Sequence, residues 1–194
     1  MTPSRARAGR PRDADATVRV VNATLELLDE RGIAALRIDD IAGVSGVAKT
    51  TIYRRWPSLS ALVVAAMQAA LGPRPLPQTG DVEADLLALI RLVHQSVTRI
   101  PFTRALPLIS VELMQHPGLA EQYRAQIIDP VRDHAIHLVR AGMEQGRFRP
   151  DIDPSLVVDA VISPVIYRRV ILHQDMSLAD LMAVSDMILR SIRT

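Results

Sequence analysis

Apolar residues recur at three- and four-residue intervals along almost the whole chain, and the strict alternation of a half-buried strand is nearly absent. The expected fold is all-α. Residues 13–31 place Val18, Val21, Leu25 and Leu28 on one stripe, with Asp13 and Asp15 at the positive end of the helix dipole and Gly32 as the stop. Two short helices follow: one carries Ile38, Ile41, Ala42 and Val44, and the other spans about residues 48–55. Isolated helices below ~12 residues are marginal in water, so these two must pack on each other and on the first. Ser58 is placed to cap a fourth helix that runs through Leu62, Val63, Ala66 and Met67 to Leu71.

Residues 72–80, GPRPLPQTG, hold three prolines and two glycines, which forbids helix continuation and divides the chain. The expected organisation is a basic arm (1–12), a small helical head with its connecting helix (13–72) and a larger helical body (81–194). In the body, residues 81–100 carry Leu86, Ile90, Val93 and Val97 on a stripe, and residues 101–115 and 119–145 are further helical stretches, with Pro130 a candidate break. Twelve of the seventeen residues from 156 to 172 are apolar, and residues 177–192 add a second broad stripe. Apolar surface on this scale on two terminal helices points to a partner chain, with Val158, Ile162, Val165, Leu181 and Ile188 as the expected interface. A monomer core that consumes the same residues is the alternative.

Charge changes this picture locally. The net charge is only +2, but residues 1–72 hold ten basic against seven acidic side chains, and Arg5, Arg7, Arg10 and Arg12 precede the first acid. Such an arm suits phosphates. With no cysteine, disulfides, thiolate nucleophiles and Cys-based zinc sites are excluded. The longest apolar run, residues 61–67, is far short of the ~18 needed to span a bilayer, and no apolar signal core follows the arginines. The expected location is the cytoplasm, without membrane contact.

Residues 38–55 read as helix, tight turn, helix. Ile41, Ala42, Val47, Ile52 and Trp56 are spaced to share one small core, and Gly46 stands where the chain reverses. Lys49, Thr50, Thr51, Tyr53, Arg54 and Arg55 are left to face outward. That set matches a DNA major groove: cations for phosphates or guanine edges, threonines for base edges and thymine methyls, a tyrosine hydroxyl for a phosphate oxygen.

The stretch IDDIAGVSGVAKTTIYRRWPSLSAL, preceded by a helix ending in DERG, closely resembles the N-terminal domain of the tetracycline-repressor (TetR) family. The resemblance covers roughly residues 13–71. It implies a turn at Gly46 and Val47, DNA contact by Lys49, Thr50, Thr51 and Tyr53, an aromatic core position at Trp56 and a phosphate-facing position at Arg55. Two residues depart from the family pattern. Leu59 stands where a lysine commonly contacts the DNA backbone, and Arg37 replaces a Ser or Thr cap, at a cost of ~1 kcal/mol unless Asp39 and Asp40 compensate through the dipole. The resemblance further implies a homodimer on a palindromic double-stranded operator, released by a small-molecule effector bound in the helical body.

For that effector the body offers His94, Phe102, Met114, Tyr123 and Tyr167 as candidate contacts, each equally readable as core or surface. Pro164 should kink the most apolar helix, shaping a pocket or a dimer seam. His134 and His137 lie three apart beside Asp133, but no HExxH or matching histidine pair accompanies them, so no metal, cofactor or catalytic residue is assigned. An architectural DNA-binding protein is the rival function, with a helical metal-dependent enzyme behind it.

Overall fold

A computed structural model describes residues 12–98 and 102–194, leaving out the side chains of residues 12, 13, 102–105, 107 and 108. Arg10 lies outside the described residues, as do the side chains of Arg12 and Phe102. The described residues are helical and contain no β-strand, as an all-α chain requires. Two compact units meet between Ala69 and Ala70.

The first unit holds α1 (Arg12–Arg31), a single 3-10 turn (Ile33–Ala35), α2 (Ile38–Ser45), α3 (Lys49–Arg55) and most of α4 (Leu59–Leu71). Leu27, Leu28, Leu36, Ile41, Ile52, Leu62, Val63 and Met67 are among its fully enclosed side chains. The buried face of α1 is Val20, Val21, Ala23, Thr24, Leu27 and Leu28, rotated from the expected stripe: Val18 is 56% exposed. Small Ala23 and Thr24 lie on this buried face, and Thr24 Oγ1 is satisfied by donating to Val20 O at 2.7 Å. Val44, expected inside, is also exposed.

Helix ends follow from local chemistry. Gly46 closes α2 at φ +64°, a left-handed conformation that a side chain would strain, and its N–H reaches Ala42 O. Ser58 Oγ accepts from Ala61 N at 3.1 Å and caps α4. Arg37 makes no side-chain cap on α2; its guanidinium donates instead to Ala34 O and Leu36 O, both at 2.9 Å, so that it satisfies carbonyls of the preceding turn.

The second unit contains α5 (Val82–Thr98), α6 (Phe102–Gln115), α7 (Pro117–Tyr123), a π-helical segment (Arg124–Ile128), α8 (Asp129–Glu144), α9 (Pro154–Val170) and α10 (Leu178–Ile192). Helix α5 packs against α8, α9 and α10. Pro130 does not break the chain. It occupies the first turn of α8, where a missing N–H costs least, and the wider π turn precedes it. Phe148 is wholly buried and its ring lies against Gly142 of α8, where a Cβ would collide with it. The chain end is tied in by Arg149 N to Ile192 O at 2.8 Å and by an Arg193–Glu83 ion pair at 2.7 Å.

Residues 72–80 belong to the second unit and are tied to it. Asp85, buried on α5, accepts from Thr79 N through both carboxylate oxygens (3.0 and 2.9 Å), from Thr79 Oγ1 (2.8 Å) and from Gly80 N (3.3 Å). Those hydrogen bonds, the Thr79 amide foremost, hold its pKa below the ordinary aspartate value against the opposing effect of desolvation. His134 Nε2 meets Pro77 O at 2.8 Å, which fixes the same segment from α8.

Candidate DNA interface and body cavity

Helix α3 has one buried residue, Ile52, flanked by half-buried Thr51 and Arg55. Seated on that side, the helix presents Lys49, Thr50, Tyr53 and Arg54 outward, with Tyr53 51% exposed. The spacing i, i+1, i+4, i+5 is one face of a helix, so burial of Ile52 sets the direction of all four. Ile41 and Val47 are buried beneath it, and Trp56 caps its C-terminus half-buried, its N–H bonded to Ile52 O. In the turn, Ser45 Oγ accepts from Val47 N at 3.3 Å. Lys49 is not free: its Nζ lies 2.6 Å from Asp39 Oδ1 on α2.

A cavity of about 320 Å³ opens in the second unit. The expected α5 stripe of Leu86, Ile90, Val93 and Val97 forms one wall, and α8 and α9 supply the facing residues Val131, Val157, Val161 and Ile166. Five polar side chains join this apolar lining: Arg74, Ser96, Tyr123, Arg132 and Asp159. Arg132 and Asp159 satisfy each other through a forked contact at 3.0 to 3.2 Å, and Ser96 Oγ donates to Leu92 O within its own helix. Arg74 reaches Ile127 O at 3.2 Å. Burial lowers the Arg74 pKa and raises that of Tyr123, each partly countered by the other's charge.

Of the expected effector contacts, Tyr123 lines this cavity. His94 does not; its Nε2 is engaged with Met176 O at 2.8 Å, which anchors the α9–α10 loop. Met114 is 85% exposed on α6, and Tyr167 projects to solvent from α9, so neither belongs to the lining. The expected dimer contacts also need correction. Val158, Val165 and Leu181 are buried within the protomer's own core, and Val158 and Ile162 line the cavity. Ile188 is half-buried and packs on the same core. The small and apolar residues that α9 and α10 leave exposed include Leu156, Ala160, Ser163 and Tyr167 on one helix and Ala183 and Met187 on the other, alongside charged Asp159, Arg168, Asp180 and Arg190. Among the described residues no group of three or more potential ligands is placed to hold a metal, and no helix is long and apolar enough to cross a membrane.

Sequence comparison agrees with this geometry at both ends of the chain. Residues 20–66 match the family described as bacterial regulatory proteins, tetR family, and residues 76–188 match the tetracyclin repressor-like C-terminal domain. The chain belongs to the TetR family of transcriptional regulators. It is 30% identical over 164 residues to the HTH-type transcriptional regulator YdeS of Bacillus subtilis (strain 168), covering 84% of this chain and 82% of that one. A crystal structure of the TetR family transcription regulator SCO0332 superposes with a TM-score of 0.68 at 33% identity, covering 93% of this chain and all of the other. The DNA-binding transcriptional repressor TetR of Mycobacteroides abscessus is 26% identical over 147 residues, with 74% of this chain and 76% of the relative covered. As a TetR-family protein the chain is a DNA-binding regulator with a helix-turn-helix head, and the family is not one of enzymes.

Sequence reasoning missed Arg74, because its setting between Pro73 and Pro75 reads as a linker. The available signal was the same pair of prolines: a cation on a stiff, non-helical segment has a fixed direction.

Proposed function

We propose that this protein is a cytoplasmic repressor that binds a palindromic operator as a homodimer and is released by a small molecule held in the body cavity. The outward face of α3, set by burial of Ile52, carries the DNA-binding part of this reading. Lys49, Thr50, Tyr53 and Arg54 are the residues assigned to DNA, with Thr51 and Arg55 at the edge of the contact. The release step is supported by a cavity whose size falls at the small end for a ligand site. An effector shifts the equilibrium only if it binds the DNA-incompetent state more tightly.

The pairing surface is assigned to the exposed row on α9 and α10. Leu156 and Tyr167 bracket Ala160 and Ser163, and Ala183 and Met187 continue the row on the neighbouring helix. Small residues between large apolar ones let two helices approach closely, and a two-fold arrangement places each row against its own copy.

Selection of bound sequences from random DNA tests the whole reading. The expected result is a site with dyad symmetry and at least ~10³ preference over random DNA. A flat response across sequences overturns it in favour of an architectural DNA-binding protein. Tyr167→Glu is expected to convert the pair to single chains in sedimentation, with the helical signal unchanged; an unaltered pair removes the α9–α10 assignment.

A further inference from the structure

We propose that the effector is an amphipathic carboxylate whose head binds Arg74 and Tyr123 and whose chain of about ten carbons fills the apolar cavity. The inference rests on the cavity being the effector site and adds the chemistry of its occupant.

The cavity is chemically lopsided. Its other polar side chains are internally satisfied: Arg132 by Asp159, and Ser96 by the carbonyl of Leu92. Arg74 has no carboxylate partner among the described residues, and its single hydrogen bond goes to Ile127 O. A guanidinium offers five N–H donors, so most of its capacity is unused. Beside it stands Tyr123, only 8% exposed, with its hydroxyl unpartnered among the described residues. A partly buried cation with spare donors and the open hydroxyl of a largely buried tyrosine, at the margin of an apolar lining, complement an anion that accepts several hydrogen bonds.

Shape and charge narrow the class. The planar fork of arginine matches a carboxylate in two parallel bonds, and Tyr123 can donate a third. The walls from α5, α8 and α9 are aliphatic, so the rest of the occupant is hydrocarbon. At ~30 Å³ per water-sized group, the volume accommodates on the order of ten carbons. A quaternary ammonium of the same length would bring like charge to Arg74, and a neutral alcohol would leave its donors unmatched.

The test titrates decanoate, 1-decanol and decyltrimethylammonium, each below its micelle threshold, into the full chain by calorimetry, with operator binding followed in parallel. Decanoate is expected to bind at least ~10-fold more tightly than decanol, the value of a charge-assisted hydrogen bond. Arg74→Gln is expected to erase that preference and leave decanol binding within about twofold, which also reports an intact cavity. Should Arg74→Gln fail to fold, Arg74→Lys retains the charge but not the fork and is expected to lose part of the preference. Equal affinity for decanol, a preference for the ammonium, an unchanged preference in Arg74→Gln, or no binding of any of the three overturns the proposal. Arg74-dependent decanoate binding that leaves operator affinity unaltered supports the anion subsite and refutes the effector role. Operator release by a compound without an anionic group, with decanoate not binding, does the reverse.

Discussion

Lys49 Nζ and Asp39 Oδ1 are 2.6 Å apart, so the first cation of α3 is paired within the protein to an acid of α2. Both side chains are more than half exposed, which makes the pair weak, roughly 0–1 kcal/mol. On the proposed assignment of Lys49 to DNA, phosphates would compete with Asp39 for the same ammonium. Asp39→Asn is therefore expected to raise operator affinity about two- to fivefold, measured by fluorescence anisotropy at ~150 mM salt. A loss of affinity would mean that Asp39 positions Lys49 and does not restrain it.

Removing the cation tests the same face from the other side. Lys49→Ala is expected to weaken binding across all DNA sequences and reduce the slope of log affinity against log salt by about one. Tyr53→Phe, which deletes only a hydroxyl, is expected to weaken operator binding with no change in that slope. Neither residue is buried, so thermal unfolding should be unaffected by either substitution.

Gly142 and Phe148 make a different prediction. In an open helix, alanine is favoured over glycine by roughly 0.5–1 kcal/mol. At position 142 the added methyl collides with the buried Phe148 ring. Overpacking costs ~1–3 kcal/mol, so Gly142→Ala is expected to be net destabilising in urea unfolding. Adding Phe148→Leu should shrink the penalty of that alanine, whereas additive effects would show that the ring is not what excludes it.

Asp85 supplies a pH dependence with a definite sign. Its folded-state pKa is lowered, chiefly by the Thr79 amide, so its stabilising contribution is complete above the unfolded value of ~3.9. That contribution is lost as pH falls through the lowered folded value. Asp85→Asn is expected to melt a few degrees lower at pH 7, and the gap should close progressively below about pH 4. A gap that is constant with pH would assign the effect to shape and not to charge.

The head was legible because its chemistry is local. Gly46 at the reversal, Ser58 at a cap and Ile52 between outward cations are signals carried by neighbouring residues, and each keeps its expected place. The body was legible in its helices but not in their facing. Helix α9 is apolar nearly all round, so periodicity gives no reason to prefer Val158 and Val165 as interior over Leu156 and Tyr167. Only packing against α5, α8 and α10 decides it. Helix α1 misleads for a related reason: its buried face takes in two small residues, Ala23 and Thr24, and leaves Val18 out. Arg74 was hidden because its role depends on Ile127 and Tyr123, about fifty residues away in the chain.

If the exposed row from Leu156 to Tyr167, together with Met187, is the pairing surface proposed above, gene dosage matters in a non-linear way. If these residues are covered only by a second copy, the number of paired heads depends on how much protein a cell contains. Below the dissociation constant of the pair, that number rises as the square of the total, so halving expression leaves about a quarter of the dimers. A gene under such control would respond to a fall in regulator abundance more sharply than to an equal fractional change in a monomeric repressor.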